Sequence, residues 1–311
     1  MSPRHLLLAL GIALVWGVNF VIIDVALARL PPLLFSASRF LVAAVPAILF
    51  LRSPGVPWRW VALMALFLGV VKFGLLFSGM AAGMPPGLSS LVLQAQAPFT
   101  LVFAVALLKE RLTRQQVLGM AVALGGIGLI ALDLGATSPL RAFAMVIGAA
   151  AAWGASNVVM RRAAPPDMLR FMVWVSALAV LPLGVLSVVF EGPRRDWAAL
   201  RNMTWSAAGS VLFVGLVATV AGFGLWGLLI RTYSASTIAP FSLLVPVFGM
   251  TSAALFTGEE LTWSRIVAAA LIIAGVLSGL RKAPATTARR RRGSRLVAGQ
   301  AGVSTVGPTT E

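Results

Sequence analysis

Apolar residues run in ten long blocks along this chain, at about 5–28, 33–51, 60–82, 85–108, 114–133, 139–162, 168–190, 204–231, 235–257 and 262–281. Each is close to the roughly 20 residues that a helix needs to cross a bilayer core of about 30 Å. The gaps carry turn chemistry: Pro31-Pro32, Ser53-Pro54-Gly55, Pro85-Pro86-Gly87, Pro165-Pro166-Asp167, Gly192-Pro193 and Gly258-Glu259. The third gap is so short that it predicts a tight helical hairpin. The first block lacks a small-residue cleavage site, so it reads as a retained helix and not a removed signal. The pattern predicts an all-α membrane protein with ten transmembrane helices.

Composition agrees. The chain is 59% hydrophobic and only 11% charged, against about 25% charged for an ordinary soluble domain. The net charge of +16 is not the footprint of a nucleic-acid binder, because the cations sit in short gaps and in a tail and not on an aromatic-rich stripe. There is no cysteine and one histidine, His5, which excludes disulfides, thiolate metal sites and a His-based metal cluster. No cofactor and no metal are expected.

Placement of the cations orients the chain. With a cytoplasmic N-terminus, 17 Lys and Arg fall inside and six outside, while Arg39 and Lys72 lie within helices. That bias predicts a multi-pass membrane protein with both termini cytoplasmic. The basic tail at 283–311, with Arg289 to Arg292 in a row, is expected to be disordered. An anionic-lipid anchor is its expected role.

Two stretches recur. Trp16-Gly17-Val18-Asn19-Phe20 is echoed by Trp153-Gly154-Ala155-Ser156-Asn157, and Glu110-Arg111-Leu112-Thr113 by Glu259-Glu260-Leu261-Thr262. Each copy spans five helices, and an odd number forces the copies into opposite orientations. The expected architecture is therefore two inverted five-helix repeats, at 1–134 and 139–282, with a site near the midplane between them.

These residues resemble the EamA-type repeat of the drug/metabolite transporter superfamily over about residues 5–282. The stretches Gly83-Met84-Pro85-Pro86-Gly87-Leu88-Ser89-Ser90-Leu91-Val92-Leu93-Gln94-Ala95-Gln96-Ala97 and Pro240-Phe241-Ser242-Leu243-Leu244-Val245-Pro246-Val247 are similar to the branch that exports O-acetylserine and cysteine. The resemblance implies efflux of small amino-acid-like metabolites by alternating access, with proton coupling. Lys109 stands where the family usually has Gly, Ala268 likewise in the second copy, and Asn157 is one position late. Uptake, or a drug-like cargo, remains an alternative on the same fold. A membrane enzyme or scaffold is the alternative of another class, disfavoured because polar groups are scattered singly. A monomer and a homodimer are both compatible with the sequence; Gly275-x-x-x-Gly279 suits either a dimer contact or packing within the bundle.

Ionisable groups inside a span cost about 2.5–3.5 kcal/mol at its centre, so Asp24, Arg39 and Lys72 call for explanation. Asp24 and Arg39 lie about 6 and 9 Å from the outer ends of helices 1 and 2, depths that suit an ion pair, an outer gate or a coupling carboxylate. Lys72 lies about 15 Å deep, level with Asn19 and Gln94 at about 13–14 Å. That set is the candidate substrate site, with Lys72 either receiving a carboxylate or facing a watery cavity without cargo contact, and with Trp16, Ser90 and Trp153 as further wall candidates, the tryptophans equally readable as packing. On a helical wheel Gln94 and Gln96 are about 200° apart, and Gln94 shares its face with Ser90 and Pro98. Glu110 and Glu259 read as dipole partners of the helices they precede. Pro46, Pro98, Pro182, Pro240 and Pro246 fall within spans, where each removes a backbone donor.

Overall fold

A computed structural model of the chain describes residues 1–49, 53–133, 140–233 and 235–280; the tail at 283–311 and the side chain of Pro46 lie outside the described residues. Among the described residues every regular element is helical. In chain order these are α1 (Pro3–Leu27), α2 (Pro32–Ile48), α3 (Trp58–Ala81), α4 (Pro86–Leu108), α5 (Arg114–Asp133), α6 (Leu140–Ala163), α7 (Met168–Phe190), α8 (Pro193–Arg201), α9 (Trp205–Tyr233), α10 (Ala239–Thr257) and α11 (Trp263–Leu280). A single turn, Ala235–Ile238, leads into α10. Eight of them are long and apolar enough to cross a membrane, and α2 and α11 contain shorter apolar stretches. The chain is therefore a multi-pass membrane protein.

Local chemistry sets the helix ends. Ser2 caps α1 by accepting from the His5 N–H, with Pro3 at the first helical position. Asp167 and Thr204 do the same for α7 and α9. Left-handed residues follow three helices: Gly258 after α10, with φ +70°, Lys109 after α4, with φ +55°, and Ala164 after α6, with φ +40°. Lys109 thus makes with a lysine the left-handed stop that Gly258 makes with a glycine. α8 occupies a stretch read from the sequence only as a gap. It is a short amphipathic helix with exposed Arg194 and Trp197 and a buried Asp196.

Four spans depart from α-geometry inside the bundle. α3 carries a π-helical segment at Ala65–Lys72 and α9 one at Phe213–Ala221. α4 tightens to a 3-10 turn at Leu93–Ala95, and Ala239–Leu243, at the start of α10, is also 3-10. Such irregular segments often mark functional or strained positions.

The closest helix pairs join early helices to late ones: α1 with α10, α2 with α7, α3 and α4 with α6, and α5 with α11. Small residues permit the approach. A Cβ on Gly17 would lie 2.5 Å from Phe248 Cβ, and one on Gly154 would lie 2.7 Å from Phe99 Cβ. Gly275 packs against Gly119 and Ala123 of α5 within this chain, so its small-residue face serves the bundle. Two ends of the bundle follow from these contacts. Ser2 and Tyr233, and Glu110 and Arg161, meet at the N-terminal face. The starts of α2 and α4 lie at the far face, beside Glu191 and Glu259.

Candidate substrate site

A cavity of ≈ 230 Å³ lies in the N-terminal-face half of the bundle, between α4, α5, α6, α10 and α11. Its polar wall comes from Gln96, Thr100, Asn157 and Ser242. Asn157 Nδ2 donates to Gln96 Oε1 at 2.7 Å and to Thr100 Oγ1 at 3.0 Å, while Thr100 Oγ1 donates to the Gln96 carbonyl at 2.7 Å. The remaining lining is small or apolar, with Ala97, Pro98, Gly119 and Gly275 among it.

Gln96 and not Gln94 takes this wall. Three residues at 3.0 per turn advance the register by about 60° more than α-geometry does, so a wheel drawn through Gln94 does not hold beyond Ala95. Gln94 is 6% exposed and does not line the cavity. Asn157, one position late in the repeat, is brought to Gln96 by the close α4–α6 crossing at Gly154.

One helical turn from Asn157 on the same helix, the Trp153 ring lies 4.8 Å from Lys72 Nζ. Lys72 closes the π segment of α3, is 6% exposed, and sits 3.3 Å from the Phe73 ring centroid. Arg39 lies 3.6 Å from the same centroid and 3.8 Å from that of Phe40. It is 2% exposed, and its Nη1 donates to Thr219 Oγ1 in the π segment of α9 at 3.2 Å, whereas Nε and Nη2 have no hydrogen-bond partner. Two buried basic side chains thus share one aromatic ring, and among the described residues neither forms an ion pair with a carboxylate.

The other candidates are distributed around this centre. Asp24 and Arg39 form no ion pair; cation–π contacts and Thr219 hold Arg39 instead. Asp24 is near enough to Glu259 at the far face to influence its ionisation. Trp16 donates from Nε1 to the Ala218 carbonyl at 2.9 Å and packs on Trp226 and Phe223. Ser90 donates to the Gly87 carbonyl and its side chain lies against Gly249. Asn19 Oδ1 is buried without a partner. Lys72 and Trp153 are brought together, whereas Trp16, Asn19, Gln94 and Ser90 stay outside the cavity wall. Among the described residues no group of His, Asp and Glu is placed to hold a metal ion.

Glu259 does not serve the helix it precedes. Its carboxylate accepts from the backbone N–H groups of Gly87 at 2.8 Å and Leu88 at 3.1 Å, and it lies 3.5 Å from Arg265. Glu191 likewise accepts from Leu33 at 2.7 Å and Leu34 at 3.0 Å. The sequence signal for both acceptors was the Pro-Pro pair ahead of each donor pair.

A family model described as the EamA-like transporter family matches residues 4–132 and 140–279. A protein of Salmonella typhimurium named "Probable amino-acid metabolite efflux pump" is 38% identical over 282 residues, covering 89% of this chain and 94% of its own. A protein of Escherichia coli K12 with the same name is 35% identical over the same shares. One solved crystal structure aligns with a TM-score of 0.57 at 19% identity, over 87% of this chain and 94% of the other, which is a likeness of fold.

Proposed function

This chain belongs to the EamA-like transporter family, and from that premise we propose that it is a secondary active exporter of small amino-acid-like metabolites, of the O-acetylserine and cysteine type. It works by alternating access in the bacterial inner membrane, with ten spans in two inverted halves, 1–134 and 139–282, and both termini cytoplasmic. The relatives from Salmonella and Escherichia coli support the cargo class, since both are named as amino-acid metabolite efflux pumps. The paired irregularities support the repeat: π segments in α3 and α9, 3-10 turns at α4 and α10, and tight glycines at 17 and 154. Proton coupling belongs to this reading.

The observation that carries the reading is the cavity on the N-terminal face, with Gln96, Asn157 and Thr100 in its wall and Lys72 and Trp153 one turn further in. A zwitterionic metabolite has a carboxylate and several neutral polar atoms. Lys72 is a buried amine with no carboxylate partner among the described residues, and the cargo carboxylate is the counter-ion of its protonated form when the path opens. Asn157, Gln96, Thr100 and Ser242 supply neutral donors and acceptors along the entry. A buried charge left unpaired is costly, so the carboxylate contributes more here than at an exposed lysine.

Metabolite profiling of medium from overexpressing and deletion strains tests the cargo, with O-acetylserine and cysteine measured first. Uptake into inside-out and right-side-out vesicles, with and without a proton gradient, tests direction and coupling. Lys72→Met is expected to abolish export at normal protein level. Normal export by that variant rejects the carboxylate site, and accumulation of an unrelated compound instead rejects the cargo class.

A further inference from the structure

The first turns of α2 and α4 lack caps of their own. Each begins with Pro-Pro, at Pro31-Pro32 and Pro85-Pro86. Proline fits the first helical position but its side chain cannot accept a hydrogen bond. Pro85 stands at the cap position of α4 with no side-chain cap bond. The next backbone N–H groups, Leu33 and Leu34 in one helix and Gly87 and Leu88 in the other, therefore need acceptors from elsewhere.

Both pairs find the same solution. Glu191, after α7, spreads its two carboxylate oxygens over Leu33 and Leu34. Glu259, between α10 and α11, spreads its two over Gly87 and Leu88. In each case an early helix is capped by an acid from a late segment, more than 150 positions away in sequence. Glu191 Oε2 also accepts from Ser187 at 2.7 Å, and Arg265 lies 3.5 Å from Glu259. Carboxylate bonds to the N–H groups of a helix start are charge-assisted and aligned with the helix dipole.

The two faces differ. The cavity lies in the N-terminal-face half, where Arg161 and Glu110 form an exposed ion pair with side chains 50% and 41% accessible. At the far face, the Glu259 side chain is only 8% accessible. Gly87 is fitted to the contact: a Cβ there would fall 2.8 Å from one Glu259 oxygen and 3.0 Å from the other.

We infer that Glu191 and Glu259 form a two-point latch that holds the far face shut while the cavity faces the N-terminal side, and that both caps must release for cargo to leave. The latch rests on the transport reading above and assigns its outer gate to two acids that the substrate cavity does not contain. Its logic is mechanical. A helix whose N-terminal cap is borrowed from a facing segment cannot move away from it without exchanging two charge-assisted bonds for water. Two such points, one on α2 with α7 and one on α4 with the α10–α11 turn, set a threshold for opening that neither helix sets alone.

The chain has no cysteine, so paired cysteines carry spin labels at unique positions. Ala81 and Phe256 report the Glu259 arm, and Arg29 and Phe190 the Glu191 arm; all four are exposed. In the full-length protein in lipid nanodiscs, Glu259→Ala is expected to add a longer-distance population to the first pair, and Glu191→Ala to the second. Should Glu259→Ala fold poorly, Gly87→Val displaces the carboxylate without removing it and gives the same shift. Glu259→Gln, which keeps one acceptor oxygen, gives an intermediate population. Unchanged distances, with or without a lower melting temperature, overturn the latch and leave two helix caps. The distance readout needs no cargo. Unchanged distances beside normal export remove the latch alone, whereas lengthened distances in a chain that moves no amino-acid-like compound keep the latch and remove the cargo reading.

Discussion

Asn157 reaches across the α4–α6 crossing to donate to Gln96 Oε1 at 2.7 Å, and both residues line the same cavity. An interhelical bond of this kind contributes on average about 0.6 kcal/mol in a membrane bundle. Asn157→Ala is therefore expected to lower stability by about that amount. If the pair contacts cargo, half-saturation of transport rises several-fold in the same variant. Thermal unfolding in detergent alongside vesicle transport separates the two effects, and a variant with unaltered half-saturation removes Asn157 from the substrate path.

Arg39 and Thr219 give a second expectation. The hydroxyl of Thr219 accepts from Arg39 Nη1 and itself donates to the Val214 carbonyl at 2.7 Å inside the π segment. Thr219→Val keeps the shape and removes the guanidinium's hydrogen-bond acceptor in a buried position. Hydrogen bonds to charged groups contribute about 1.5–3 kcal/mol, so a loss in that range is expected in chemical or thermal unfolding. The double variant Arg39→Met with Thr219→Val recovers part of it, because replacing a buried polar set by apolar side chains removes the orphaned charge.

Lys109 leads to a stabilising change. It terminates α4 with φ +55°, where Gly258 ends α10 with φ +70°. Left-handed geometry costs a side-chain-bearing residue about 1 kcal/mol relative to glycine. Lys109→Gly is expected to raise the melting temperature by the equivalent of about that amount, and Gly258→Lys to lower it. Equal melting curves for wild type and Lys109→Gly argue against this cost.

The placement of the spans was legible because each needs a long apolar run, and the ends of α3, α4 and α5 fall within a few residues of the blocks read from sequence. The cavity wall was less legible. A wheel assumes constant rotation, and the 3-10 turn at Leu93–Ala95 shifts the register of everything after it by about 60°. The expected Asp24–Arg39 pair rested on matched depth alone, which cannot express that Phe40 and Phe73 offer Arg39 a nearer partner. The caps at Glu191 and Glu259 are invisible to local pattern because donor and acceptor lie in different halves. Only the Pro-Pro pairs ahead of the two helix starts bear on them locally, since a proline side chain accepts no hydrogen bond.

Close helix packing gives a fourth expectation. A Cβ on Gly17 would lie 2.9 Å from both the Gly249 nitrogen and the Val245 carbonyl, which are backbone and cannot rotate away. Overpacking of this kind costs about 1–3 kcal/mol. Gly17→Ala is expected to destabilise within that range, and Gly154→Ala similarly, since it meets the backbone of Phe99 and Thr100. Gly11→Ala, with nothing within 4 Å, serves as the control and is expected to unfold like the wild type.

The pH dependence of Glu259 has a definite sign. Burial raises its pKa above the usual glutamate value of 4.5, and the nearby Asp24 adds to the rise; the Gly87 and Leu88 N–H groups and Arg265 oppose it without cancelling it. The folded protein therefore holds this proton more tightly than the unfolded chain does. The resulting stabilisation is complete below pH 4.5 and is lost as pH rises through the raised folded value. Glu259→Gln removes this component, so wild-type and variant melting temperatures, plotted against pH, should converge in slope only outside that window. Melting curves of both forms across one pH series check this; a wild-type stability that falls, relative to Glu259→Gln, as pH drops through that window reverses the assigned sign.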